Sequence, residues 1–156
     1  MARLSELGEW ERELMSIKLK DLHPLGGAPW VAGPALNQRR VALVTSAGIH
    51  RNDDQPFTDK TAAEYRIIPG SVTANELVMS HLSSNFDRSG FQQDINVVFP
   101  IDRLQELAAE GIVGSVAEYH YAFNGSTPTL QLEPRARQLA GLLKKDGVDA
   151  VLLTPV

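Results

Sequence analysis

The stretch Arg40-Val41-Ala42-Leu43-Val44-Thr45-Ser46-Ala47-Gly48 joins a short apolar run to a loop of small residues. This combination is typical of a buried strand in a parallel sheet that leads into a small-residue loop. Further apolar strands are predicted at 94–100, 116–123 and 148–153, with amphipathic helices between them. The alternation predicts an α/β fold with an open, mostly parallel, Rossmann-like sheet and flanking helices.

The residues before this strand are of a different kind. Three prolines and three glycines at 21–34 predict an irregular arm. We therefore predict a helix and arm over 1–38 and an α/β domain over 39–156. The helix is predicted because four apolar residues recur at helical spacing: Leu7, Trp10, Leu14 and Ile17.

Composition argues against several classes of protein. The chain has 156 residues, with 15 Lys and Arg against 19 Asp and Glu. Because the basic residues form no concentrated patch, we predict no nucleic-acid partner. No apolar stretch approaches the roughly 20 residues of a membrane span, so we predict no membrane contact. The N-terminus has no signal or transit pattern, which favours a cytoplasmic protein.

The chain contains no cysteine. A disulfide, a thiolate nucleophile and a cysteine-ligated metal are therefore excluded within these residues. The sequence also has no HExxH motif, no phosphate-loop lysine and no GxGxxG after the first strand. We predict no metal site and no nucleotide cofactor.

Five blocks in the α/β region carry a more specific signal. Together they resemble the glycine/sarcosine/betaine reductase component B and D-proline reductase family, from about Arg39 onward. The blocks are VALVTSAGIH at 41–50, SH at 80–81 leading to NFD at 85–87, NVVFPIDRL at 96–104, GSV at 114–116 and DGVDAVLLT at 146–154.

The resemblance implies a reductase subunit that cleaves an amino acid or its derivative reductively, with a dithiol as reductant. Members of the family carry a selenocysteine or cysteine, usually with a second cysteine nearby, just after the strand that corresponds to 148–153. A selenol or activated thiol suits this role because its anion is populated near neutral pH, and the disulfide or selenenyl sulfide that it forms on oxidation is easily reduced again. The resemblance also implies an amino-acid-like substrate and other reductase subunits as partners.

The sequence stops where that redox residue is expected, so we expect an α/β domain without its C-terminal part and without reductase turnover of its own. A UGA selenocysteine codon read as a stop is the account we favour. A truncated coding region and a non-catalytic paralogue are the alternatives that the sequence leaves open.

Candidate site residues follow predicted strands, where ligands bind in open α/β sheets. His81 and Asp87 are candidates for a base and an orienting group, or else they stabilise a loop. Thr45, Ser46 and Gly48 are candidates for presenting backbone N–H groups to a substrate carboxylate. His50 is a candidate substrate-binding residue, with a surface loop histidine as the alternative.

Two further positions receive structural interpretations. Asp102 is predicted to cap a helix, with Gln105 completing a capping box. His120 lies on the strand face opposite Tyr119 and Tyr121, where a cross-strand contact and a solvent-facing position are both open.

A second hypothesis comes from a different class of protein. The final apolar strand has no following helix to cover it, so it could pair with another subunit. This hypothesis describes a non-catalytic, cysteine-free small-molecule-binding or oligomeric scaffold, and it favours a homo-oligomer.

Overall fold

The computed structural model describes residues 3–20, 31–60, 62–83 and 87–156. They belong to two compact units, 1–32 and 33–156. The predicted helix at the N-terminus is confirmed, whereas most of the predicted arm at 21–34 lies outside the described residues. The division at 38/39 stays a prediction.

Four helices and seven strands are present among the described residues. None of these helices is long and apolar enough to cross a lipid bilayer. In chain order they are α1 Glu9–Lys20, β1 Arg40–Thr45, β2 Ile49–Arg51, β3 Tyr65–Pro69, β4 Leu77–Met79, α2 Ser89–Gln93, α3 Ile101–Ala109, β5 Ser115–Val116, β6 Tyr119–Phe123, α4 Thr129–Lys145 and β7 Ala150–Thr154.

Strand β1 is the centre of the main sheet. On one side it pairs in parallel with β7 along residues 41–45. On its other side it pairs in parallel first with β5 and then with β6, and β3 adds to β6 in antiparallel fashion. Strands β2 and β4 form a separate antiparallel pair. The α/β class and the open sheet are confirmed. The sheet is mixed, so the mostly parallel and Rossmann-like character stays a prediction.

Alternate residues of β1 are buried on opposite faces of the sheet, because successive side chains of a strand point to opposite sides. Val41 and Leu43 share one core cluster with Ile101 and Leu104 of α3. Ala42 shares the other cluster with residues of β6 and of α4, among them Tyr121, Phe123, Leu139 and Leu143. Helices therefore cover both faces of the sheet.

The strand predicted at 116–123 is interrupted, and the interruption has a consequence for His120. Arg40 pairs with Ser115, and Val44 pairs with Tyr121. Between these two pairs the partner segment therefore has two more residues than β1. Across this gap the Leu43 N–H donates to His120 Nδ1 at 2.9 Å. The fully buried imidazole thus takes the place of a main-chain acceptor. Of the two positions left open for His120, the structure has the cross-strand contact.

Acid should destabilise the fold through His120. Burial lowers the pKa of His120 from 6.5 to about 4. Since the unfolded chain takes up this proton at higher pH than the folded chain, stability is full above about pH 6.5 and falls as the pH drops toward 4. The free energy of unfolding should fall by about 3 kcal/mol, because one pKa unit corresponds to about 1.4 kcal/mol.

Urea unfolding of the wild type and of His120→Asn between pH 7 and 4 would measure this loss. The variant should be less stable at pH 7 but show a flatter pH dependence. Parallel curves for the two proteins would contradict the assignment to His120.

The prediction of a strand at 94–100 is wrong. Its centre is a 3₁₀ turn at Ile95–Val97, because the Asp94 carboxylate accepts the Asn96 N–H at 2.9 Å and holds the backbone in a turn. The predicted capping box is wrong as well. Asn96 Oδ1 accepts the Asp102 N–H at 3.1 Å, and Gln105 Nε2 donates to the Gly70 carbonyl instead.

Candidate functional site at the carboxyl ends of the strands

The carboxyl ends of β1, β6 and β7 lie at one edge of the sheet because these strands are parallel. The end of β1 and the loop that follows it are bonded to the end of β7 and the segment that follows it. Thr45 Oγ1 donates to the Thr154 carbonyl at 3.2 Å, and Ser46 Oγ accepts the Val156 N–H at 2.8 Å. On the β6 side, Ala47 forms a bridge with Asn124. The predicted loop at 45–48 is therefore held between both neighbouring strands.

Gly125 lies where these segments converge. A Cβ atom at this position would lie 2.9 Å from both the Ser46 and the Val156 carbonyl oxygens, and 3.2 Å from His81 Nε2. Two of these atoms belong to main chain, which cannot move aside as a flexible side chain can. The site at this edge therefore requires glycine here.

His81 reaches this edge through close packing of main chain. Gly48 has a φ of +66°, and a Cβ there would lie 3.0 Å from the His81 Cα. The His81 ring is buried, and its Nδ1 accepts the Ser83 N–H at 3.1 Å, so the proton of the neutral ring is on Nε2. Burial and then the Arg88 charge lower the pKa of His81, which keeps the ring neutral at pH 7. His81 is thus placed as a neutral donor beside Ser46 and Gly125.

Asp87 has a local role. Its carboxylate accepts the Ser89 N–H at 2.9 Å, and this bond lowers the pKa of Asp87. The loop-stabilising alternative accounts for this contact. The catalytic pairing of Asp87 with His81 stays a prediction.

His50 is buried in β2, so its interpretation as a surface loop residue is wrong. The error arises because the polar composition of 50–61 suggests an exposed segment, whereas its first residues pair with β4 and His50 is buried. His50 Nδ1 donates to the Arg51 carbonyl at 2.7 Å, and the neutral ring then has a lone pair on Nε2. Within the described part of the chain this buried Nε2 has no hydrogen-bond partner.

Asn124 was not among the predicted site residues. It is buried, and its Oδ1 accepts from Ser126 Oγ at 3.0 Å and from the Ser126 N–H at 3.4 Å. These bonds fix the amide, so Nδ2 points away from Ser126, and no acceptor for it exists among residues 3–20, 31–60, 62–83 and 87–156. The signal that could have identified it is a polar residue directly after Phe123, where a predicted strand ends.

The site offers hydrogen-bond donors and acceptors. In the described ranges, no three His, Asp or Glu side chains converge to hold a metal ion. Hydroxyl, imidazole and amide groups of this kind suit binding of a small polar ligand.

Comparison with known proteins identifies the family. The family model of glycine/sarcosine/betaine reductase selenoprotein B matches residues 17–156. D-proline reductase subunit gamma of Acetoanaerobium sticklandii is 37% identical over 121 residues, which is 76% of this chain and 49% of that protein.

Subunits of related complexes match over a smaller share of their own length. Glycine reductase complex component B subunit gamma of Symbiobacterium thermophilum is 32% identical over 125 residues, 76% of this chain and 29% of the relative. Sarcosine reductase complex component B subunit beta of Peptoclostridium acidaminophilum is 32% identical over 126 residues, which is 76% of this chain and 28% of that protein. The chain thus spans half or less of the length of these relatives.

No solved structure matches the chain. The family match extends over nearly all of the sequence, and it includes every strand of the main sheet and every predicted site residue. The chain therefore belongs to the glycine/sarcosine/betaine reductase selenoprotein B family.

Proposed function

We propose that this chain supplies the substrate-binding edge of a reductase-complex subunit that cleaves an amino acid or its derivative reductively. The observation that carries the proposal is the convergence at Gly125, where Ser46, His81 and Val156 meet at the carboxyl ends of parallel strands. Membership of the reductase family supports a reductive reaction at this edge. The names of the relatives indicate D-proline, glycine, sarcosine and betaine as the substrates to test.

The redox step is assigned to a group outside these 156 residues. The chain has no cysteine, and the hydroxyls of Ser46 and Thr45 cannot shuttle electrons as a thiol or selenol does. We propose a selenol or thiol as that group and a dithiol as the reductant. Neutral His81 would then donate its Nε2 proton to an oxygen of the bound substrate rather than act as an electron carrier.

Titration of the purified chain with each of the four substrates, followed by ¹H–¹⁵N NMR, tests the binding role. The amide signals of Ser46, Gly48 and Gly125 should shift with at least one of them. Gly125→Ala should weaken this binding about tenfold or more, since its Cβ pushes the strand ends apart. The matched control is Gly141→Ala, because an added Cβ at Gly141 in α4 has no described atom within 4 Å beyond its chain neighbours and the backbone of its own helix.

Two results would contradict the proposal. Absence of any shift with all four substrates would remove the binding role. Reductive cleavage by the purified chain with dithiothreitol alone would show that the redox group does not need to come from elsewhere.

The oligomeric scaffold remains as a second candidate because of strand β7. Val151, Leu152 and Leu153 of this strand are 41%, 45% and 66% exposed, and in the described part of the chain β7 pairs only with β1. An apolar edge strand of this kind favours pairing with another chain. Light scattering of the purified chain measures this directly, since the scaffold role requires an oligomer.

A further inference from the structure

The chain between β2 and β3 forms a strap, residues 52–60 and 62–64. It leads into β3 at Tyr65, which pairs with Phe123 at the carboxyl end of β6. Because the candidate site lies at the carboxyl ends of β1, β6 and β7, the strap ends at the same edge of the sheet.

A contact from the strap fixes the residue before His81. Ser80 Oγ accepts the Phe57 N–H at 2.8 Å, and Phe57 is buried. From the other side, the Ser80 N–H donates to the Gly48 carbonyl at 3.0 Å. The main chain that carries His81 is therefore held between the loop after β1 and the strap.

Arg66 of β3 fastens the strap. Its Nε donates to the Gln55 carbonyl at 2.8 Å, and its Nη2 donates to the Pro56 carbonyl at 3.3 Å. The guanidinium carbon lies 4.5 Å from the centroid of the Phe57 ring, and Nη2 also pairs with Glu64 at 2.9 Å. Only 12% of the Arg66 side chain is exposed. A planar guanidinium with several fixed donors makes all these contacts at once, which a lysine ammonium cannot do.

We propose that Arg66 is a positioning residue of the substrate-binding edge: it holds the strap, the strap holds Ser80, and Ser80 sets the position of His81. This inference rests on the proposed function and adds a residue that acts through Phe57 and Ser80. A small displacement of a positioned group weakens the interactions that it makes with a ligand. A merely structural Arg66 would change the stability of the fold and leave the affinity of the folded protein unchanged.

NMR of the purified chain tests the positioning role in two ways. In free Arg66→Gln, the ¹H–¹⁵N signal of Ser83 should shift, because the Ser83 N–H is bonded to Nδ1 of the His81 ring. Glycine, sarcosine, betaine and D-proline are then titrated into both proteins. The dissociation constant of each compound that binds the wild type should rise about fivefold in Arg66→Gln.

Arg137→Gln is the matched control. Arg137 also pairs with a glutamate, Glu133 of α4 at 2.7 Å, but its side chain is 78% exposed. An exposed pair of this kind contributes little to stability. This variant should leave the Ser83 signal and every dissociation constant at the wild-type value.

Ser80→Ala tests the route from the strap to His81. It removes the acceptor of the Phe57 N–H and keeps the side chain of Arg66, so it should weaken binding about as much as Arg66→Gln does. The double variant should lie within about twofold of either single variant, because both changes break the same route; independent effects would multiply to about 25-fold. Circular dichroism verifies that each variant is folded, and Ser80→Ala alone carries the test if Arg66→Gln does not fold.

The outcomes are distinguishable. An unchanged Ser83 signal and unchanged affinities in folded Arg66→Gln or Ser80→Ala overturn the inference and leave the proposed function intact. Effects that multiply in the double variant overturn the route through Ser80. Absence of binding of all four compounds to the wild type contradicts the proposed function. The Ser83 shift in the free protein requires no ligand, so it still shows in that case whether Arg66 positions His81.

Discussion

Replacement of His120 by alanine should lower the free energy of unfolding by about 3 to 5 kcal/mol, the range for losing a large buried ring. Two effects combine in this loss. The Leu43 N–H loses its acceptor in the middle of the sheet, and a buried donor without a partner costs about 1 to 3 kcal/mol. The ring also leaves a cavity beside Phe99, whose centroid lies 5.7 Å from that of the imidazole.

Urea unfolding at pH 7 measures this loss. His120→Asn is the control, because Oδ1 of asparagine can accept at the position of Nδ1 and restore the bond to Leu43. This variant should retain about half of the stability that alanine loses, and the Leu43 amide should exchange with solvent much faster in the alanine variant. A loss below about 1 kcal/mol in His120→Ala would show that the gap in the ladder is satisfied in another way.

The second large effect is expected at Gly114, which precedes β5. A Cβ there would lie 2.7 Å from the Gln38 carbonyl carbon and 2.8 Å from both the Arg39 nitrogen and the Arg39 oxygen. All three neighbours are main-chain atoms. Relief of the overlap requires β5 to move away from the beginning of β1, which breaks the bond from the Ser115 N–H to the Arg39 carbonyl at 3.0 Å. Gly114→Ala should therefore destabilise the protein by about 3 kcal/mol, at the upper end of the range for overpacking.

Gly141→Ala is the matched control for this substitution as well. Gly141 is an exposed residue of α4, and a methyl group added to its Cα would have no described atom within 4 Å beyond its chain neighbours and the backbone of its own helix. Alanine there should stabilise the protein by about 0.5 to 1 kcal/mol through the better helix propensity. Thermal melts of the two variants should shift in opposite directions, and equal shifts would mean that the close approach at Gly114 is not rigid.

Part of this fold can be predicted from the sequence. The apolar run of β1 and its small-residue loop predicted a buried strand and the loop that borders the candidate site. The turn at Ile95–Val97 could not be predicted from the apolar residues, because side-chain bonds from Asp94 and Asn96 to the backbone decide it. The periodicity of apolar residues indicates which face of a helix or strand is apolar. It does not detect side-chain hydrogen bonds to the backbone that favour a turn over a strand.

The position of the candidate site was predicted in outline, but its contacts were not. The rule that ligands bind beyond the carboxyl ends of strands led to Thr45, Ser46 and Gly48, which the structure holds between β6 and β7. The burial of His50 and the orientation of Asn124 depend on pairing between segments far apart in sequence. Only the folded structure shows that, among the described residues, His50 Nε2 and Asn124 Nδ2 have no hydrogen-bond partner.

The position of β1 at the centre of the sheet also shapes how the chain folds. Arg40 pairs with Ser115, and Thr45 pairs with Thr154, so the central strand is synthesised long before its neighbours. Until then its apolar residues are exposed, and each pairing must close a long loop. We expect slow, late assembly of the main sheet, and a nascent chain that depends on chaperones to shield β1 from aggregation.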